Sequence, residues 1–317
     1  MRLAVMGTGP FIVPTFRSLI ESDHQIACLV TQPVPQRRSK TPPPNPTRVV
    51  GEQHNIPILD PPSINDEASI ESLRQLDCDL FVVCDYGQIL SAAALASSRL
   101  GGINLHGSLL PKFRGAAPVQ WAILAGESQT GVSVIHMTPK LDAGPCLCQS
   151  SLDLRPGEAA GELEARLAVL GVDSVQEAIT MLADWDGQAT IGTIQDPSLA
   201  TRAPRLKKQD GAIDWTQPAE VIERSVRAFQ PWPGSFTFWL DGPKQPLRLI
   251  IVQATTVDSP LSLDPGIIHC EDDHLDIGTG SDILRLLSVK PAGKRAMSSA
   301  EFTRGHRIES GQRFGPG

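Results

Sequence analysis

Asn104 and His106 stand two residues apart in the run Gly102-Ile103-Asn104-Leu105-His106, and Asp142 lies in Leu141-Asp142-Ala143-Gly144. The first run reads as a strand, in which residues two apart face the same side. An amide donor and a titratable ring are therefore expected together at that strand's carboxyl end. The loop Gly107-Ser108-Leu109-Leu110-Pro111 follows at once. In open α/β sheets this edge is where ligands bind. Asp142 follows a second apparent strand, beside a glycine that permits close backbone approach. An amide, an imidazole and a carboxylate can stabilise a developing oxyanion and move a proton. No Ser or Cys stands in a nucleophile turn. The set therefore suits a reaction whose nucleophile belongs to the substrate. Taken alone, Asn-x-His is equally compatible with structural hydrogen bonding.

The elements that must position these residues are short and apolar. Strands are expected at 3–7, 26–30, 56–59, 79–84, 102–106 and 131–137, with helices at 11–21, 47–54, 66–76 and 119–124. The strand runs are continuously apolar, as in strands covered on both faces. The β-α-β rhythm implies a parallel sheet. A Pro-rich loop spans 31–46 and a long helix is expected at 159–182. Weak periodicity, Asp196-Pro197 and Ala203-Pro204 mark 186–208 as a linker. A helix at 218–229 and short strands broken by Gly, Pro and Asp over 235–289 indicate a small β-barrel-like second domain. The expected division is a domain at 1–185, a linker at 186–208 and a second domain at 209–317.

Length and composition bound the function. The 317 residues, 41% hydrophobic and 20% charged, describe a globular chain of about two domains. Against 35 acidic residues stand 28 basic ones, a net charge of −7, which excludes a generally polycationic nucleic-acid binder. A local basic patch remains compatible with such a partner. No run reaches the ~18 apolar residues a membrane helix needs. The start, Met-Arg-Leu-Ala-Val-Met-Gly, enters a strand directly and has the pattern of neither a signal nor a transit peptide, so a cytoplasmic protein is expected. The six Cys form no C-x-x-C pair and read as free thiols. Gly7-Thr8-Gly9-Pro10 lacks the third small residue of a dinucleotide fingerprint, Ile12 standing there, and no acid closes the second strand. His269 and His274 bracket an acidic turn in no standard metal spacing, so no metal is expected. Trp232, between two prolines, is expected to pack.

The stretch from Ile103 to Pro118, with Thr130-Gly131-Val132 and Leu141-Asp142-Ala143-Gly144, resembles the 10-formyltetrahydrofolate-dependent formyltransferases. The opening turn Met6-Gly7-Thr8-Gly9-Pro10-Phe11 is similar to theirs. Arg227-Ala228-Phe229-Gln230-Pro231-Trp232-Pro233-Gly234 and Pro291-Ala292-Gly293-Lys294-Arg295-Ala296-Met297 resemble motifs of the branch that acts on methionyl-tRNA. The departures are local. Gly9-Pro10 replaces the usual Pro and acidic or polar residue, Asp85 stands where a small residue is usual, and the loop after the second strand is compact.

The resemblance implies a Rossmann-like formyltransferase domain with a mainly parallel sheet and a smaller OB-like C-terminal β-barrel. It implies formyl transfer from 10-formyltetrahydrofolate to the amine of initiator methionyl-tRNA, in a bacterial-type, monomeric, cytoplasmic enzyme. Asn104, His106 and Asp142 would be catalytic, and Ser108, Leu109, Leu110, Pro111, Tyr86, Gly87 and Ile89 would line the folate site. Phosphates would be met by Arg37, Arg38 and Lys40, by Arg205, Lys207 and Lys208, and by Lys294 and Arg295. From Asp282 onward seven basic residues face three acidic ones. The alternatives are a formyltransferase for an amino-sugar nucleotide, a formyl-folate hydrolase, and a catalytically silent RNA-binding protein.

Overall fold

Strands without a polar face must be covered twice, and the strand order follows from that demand. The structure, a computed structural model, describes residues 1–34, 45–242, 246–271 and 273–316. The first elements are β1 Arg2–Met6, α1 Val13–Ile20, β2 Gln25–Val30, α2 Pro46–Gln53, β3 Ile58–Leu59, α3 Glu67–Gln75, β4 Leu80–Val83, α4 Ala92–Leu95 and β5 Gly102–His106. They are followed by β6 Arg114–Gly115, α5 Pro118–Leu124, β7 Gln129–His136, β8 Cys146–Asp153, α6 Ala160–Ala183 and β9 Arg202–Ala203. Then come α7 Ala219–Ala228, β10 Ser235–Trp239, β11 Leu247–Val257, β12 Ile268–Glu271, β13 His274–Gly278, β14 Ile283–Pro291, β15 Met297–Ser298, α8 Ser299–His306 and β16 Phe314–Gly315. The chain forms two compact units. One takes Met1–Pro118, Ser128–Leu154 and Leu163–Pro204; the other takes Val119–Glu127, Arg155–Glu162 and Arg205–Gly317.

In the first unit the sheet order is β3-β2-β1-β4-β5-β7-β8. The pairs from β3 to β5 are parallel, and β1 and β4 are apolar and buried throughout all but the first residue of β1. This is the Rossmann-like, mainly parallel sheet. The order reverses between β1 and β4, which opens a crevice at their carboxyl ends. There Thr8 N donates to Asp85 O at 3.2 Å, and the Gln32 amide donates to Tyr86 O at 3.0 Å. The expectation that the strand near 131–137 continues the parallel set is corrected. β7 runs antiparallel to β5, pairing His106 with Ser133 and Ile103 with His136. The connection contains no helix that recrosses the sheet within this unit, so β7 begins at the edge where β5 ends.

The second unit is an antiparallel, OB-like half-barrel of order β12-β13-β14-β11-β10-β16. β11 is long, and register shifts around Gln253 mark the irregularity by which a strand bends. Its core gathers Trp215, Trp239, Phe302 and Phe314 with aliphatic residues of β11, β13 and β14. Helix α7 buries Ala219, Ile222 and Val226, one stripe at helical spacing. Helix α8 starts on a capping box, Ser298 with Glu301. Trp232 does not pack as expected: it is 54% exposed.

One charge pair is built into this unit. Asp276 is 4% exposed and takes both Nε and Nη2 of Arg285, at 2.7 and 2.8 Å. Removing one partner of such a pair strands the other charge. Arg285→Ala is therefore expected to cost about 3 kcal/mol of unfolding free energy. Replacing both residues by apolar ones of similar volume is expected to restore most of it, as urea unfolding of the single and double variants would report.

Candidate active site

β5 presents Asn104 and His106 on one face, while Leu105 between them sits against Gly171 of α6 on the other. His106 is buried and Asn104 half-buried. The Asn104 amide makes no hydrogen bond among the described residues. His106 Nε2 lies 2.9 Å from Phe113 O. A carbonyl only accepts, so Nε2 carries a hydrogen and donates it. The other nitrogen, Nδ1, faces Asp142 Oδ2 at 3.8 Å. Asn104, His106 and Asp142 are thus brought to one carboxyl edge of the sheet.

Asp142 is held by backbone geometry. Its φ of 48° is in the left-handed region, which Asp tolerates better than most residues. Oδ2 accepts from Gly115 N at 2.8 Å. Gly144 has no room for a side chain, because a Cβ there would run into the His136 carbonyl. Phe113, also left-handed at φ 62°, turns its carbonyl to His106 and its N–H to Thr201 Oγ1. The run from Phe113 into β6 therefore touches both members of the pair, through the Phe113 carbonyl and the Gly115 N–H.

The loop before β6 is pinned by one hydroxyl. Buried Ser133 Oγ accepts from Leu110 N at 2.9 Å and from the Gln149 amide at 2.8 Å, and donates to Ser108 O at 2.6 Å. Ser108 is buried, its hydroxyl on Lys112 O. Leu110 packs with Ile135 and Cys146. Leu109 lies against Gly131, and Pro111 is half-buried. At the end of β4, Tyr86 is buried, and its hydroxyl finds no partner among the described residues. Burial pushes that phenol up to about 12. Gly87 is exposed with a positive φ, and Ile89 is 60% exposed.

The two sequence departures in the opening turn and after β4 meet in space. A Cβ on Gly9 would collide with the Asp85 carboxylate, so the glycine makes the room that the aspartate uses. Burial first, and the Asp85 charge second, hold the Glu164 carboxyl above its usual range. Burial likewise raises all six thiols, with Cys28 and Cys148 at about 12. None is poised as a nucleophile.

Residues not singled out in the sequence complete the site: Phe113, Gly115, Ser133, Gln149, Thr201, Arg114 and Gln195. Gln195 and Thr201 lie in the segment of weak periodicity. Arg202-Ala203 becomes β9 beside β6, and no sequence signal marks Gln195 or Thr201. Arg205, Lys207, Lys208, Lys294 and Arg295 are exposed on the second unit, Arg295 being 3.2 Å from Glu301. Arg37, Arg38 and Lys40 lie outside the described residues.

Residues 1–179 match the profile of the family described as formyl transferase, and residues 205–307 that of its C-terminal domain. The chain is 45% identical to the methionyl-tRNA formyltransferase of Rhodopirellula baltica, over 99% of this chain and 96% of that one. It is 39% identical to the methionyl-tRNA formyltransferase of Chloroflexus aurantiacus, over 96% and 97% of the two. It resembles the structure of HypX from Aquifex aeolicus in complex with tetrahydrofolic acid, with a TM-score of 0.60 and 16% identity over 95% of this chain and 46% of that one. It also resembles WlaRD, a sugar 3N-formyl transferase, with a TM-score of 0.64 and 13% identity over 93% and 99%. At these identities the two structures share its fold.

The Glu164 shift has a thermodynamic sign. A carboxyl whose folded pKa is raised binds more protons folded than unfolded, so stability falls as pH rises above the ordinary Glu range of about 4.3. Glu164→Gln removes that loss. Its melting temperature should exceed the parent's at pH 7 to 8, and the gap should close as pH falls toward about 4; melts across this range check it.

Proposed function

The chain belongs to the formyltransferase family, and on that basis we propose that Asn104, His106 and Asp142 carry its reaction. That reaction moves a formyl group from 10-formyltetrahydrofolate to the amino group of methionyl initiator tRNA, for translation initiation. The co-substrate supplies an activated formyl carbon.

The observation that carries the assignment is the division of hydrogen bonds around His106. Nε2 is occupied by the Phe113 carbonyl, so Nδ1 is the nitrogen that can take the proton leaving the attacking amine. The Asp142 carboxylate facing Nδ1 stabilises the imidazolium that forms. The same Nδ1–H can then return the proton to the departing folate nitrogen. The Asn104 amide, with no partner among the described residues, is free to donate to the formyl oxygen as negative charge develops there. A preorganised donor of this kind contributes about 3–4 kcal/mol to the transition state.

Ser108, Leu109, Leu110, Pro111, Tyr86, Gly87 and Ile89 form the folate side of the site in this reading. The chemistry is assigned to residues 1–185 and tRNA binding to 209–317, with 186–208 joining them while lending Gln195 and Thr201 to the site and Arg205, Lys207 and Lys208 to phosphate contact. Arg205, Lys207, Lys208, Lys294 and Arg295 meet phosphates, with Arg37, Arg38 and Lys40 beside the acceptor end. Their exposure supports the first five. The enzyme acts as a cytoplasmic monomer, where charged initiator tRNA is available.

The test is an acceptor comparison. Tetrahydrofolate release from 10-formyltetrahydrofolate is followed with charged initiator tRNA, with a dTDP-amino sugar, and with no acceptor. Release is expected only with the tRNA; release in either other arm overturns the reading. Asn104→Ala should lower kcat by about 10²–10³. Asp142→Asn keeps a residue that accepts a left-handed φ and removes only the charge. Its loss should combine with that of His106→Ala less than multiplicatively.

A further inference from the structure

We propose that Gln195 is a positioning residue for the formyl transfer: its carboxamide sets the Asp142 carboxylate opposite His106 by gripping the turn that carries it. The proposal rests on the reading that Asp142 and His106 act together in the reaction.

Gln195 is 7% exposed and every hydrogen-bonding position of its amide is filled. Nε2 donates to Asp142 O at 2.9 Å and to Gly144 O at 2.7 Å. Oε1 accepts from Arg114 Nε at 3.1 Å and from Nη2 at 2.7 Å. The orientation of the amide is forced, since a guanidinium only donates and a carbonyl only accepts. No other side chain of this size offers two donors on one side and an acceptor on the other. Glutamate would set a charge against two carbonyls, and methionine would leave four polar groups without partners.

The grip closes a frame around the catalytic pair. Arg114 lies between Phe113, which accepts from His106, and Gly115, which donates to Asp142. Gln195 ties that strand to the carbonyls of Asp142 and Gly144, both within the turn that holds the left-handed Asp142. A turn in this region persists only when its surroundings over-determine it. The His106–Asp142 separation of 3.8 Å is too long for a hydrogen bond, so the pair does not hold itself. Gln195 touches neither reacting atoms nor substrate in this arrangement; it acts through Asp142.

The test is a mutant cycle of Gln195→Glu and Asp142→Asn in the full chain, with both substrates varied. Gln195→Glu is expected to lower kcat by about 10–10²-fold, the scale of a displacement near 1 Å. KM for the folate and for charged tRNA should stay within about twofold, as a loss confined to the transition state requires. In the Asp142→Asn background Gln195→Glu should cost nothing further, because the group it positions is already gone. Unchanged kcat in Gln195→Glu, a loss confined to KM, or losses that multiply would each overturn the proposal. Normal kcat in Asp142→Asn would instead defeat the reading of the site itself. Should Gln195→Glu fail to fold, Gln195→Met, uncharged and of similar volume, is read in the same cycle with the same outcomes.

Discussion

The Asp142 carboxylate faces Nδ1 of His106 across a gap too wide for a bond, and no single element holds both side chains. Several elements of the first unit converge on that pairing. β5 gives His106 its direction, the glycine at position 144 lets the Asp142 turn press against β7, and the run Phe113–Gly115 reaches both partners. The Phe113 carbonyl occupies one imidazole nitrogen and leaves the other facing the carboxylate. In the reaction proposed above, the roles are set by which atoms are already engaged before any substrate arrives.

Charge is handled by the same economy. The chain is acidic overall, yet its basic residues are not interchangeable. Arg285 is committed to Asp276 inside the half-barrel, Arg304 lies 3.0 Å from Asp273, and Arg114 serves the site's frame. On the proposed reading, fewer basic residues are open to phosphates than a count toward the carboxyl end suggests. Arg205, Lys207, Lys208 and Lys294 are exposed and carry no ion pair among the described residues.

Much of this was legible in the sequence, for identifiable reasons. Continuous apolar runs announce doubly covered strands, and a period of two places Asn104 and His106 on one face without any structure. The direction of β7 was not legible, because it depends on whether the intervening helix recrosses the sheet, a tertiary fact. Gln195 was invisible for a related reason. Its partners lie far away in sequence, and the segment around it has no periodicity to announce burial. Helix α8 had a local signal, Ser298 followed three positions later by Glu301, which a search for capping boxes finds. Trp232 misled because proline neighbours suggest rigidity, and rigidity does not require burial.

The chain passes between its two units at 118/119, 127/128, 154/155, 162/163 and 204/205. Helix α5 and the 155–162 stretch are therefore encoded among residues of the first unit while packing with the second. Gene fusion at a single joint cannot transplant either body whole. Appending the segment after 204 to another catalytic domain would leave two pieces of its packing behind. An exchange that keeps the packing of both units whole must therefore carry nearly the entire coding sequence.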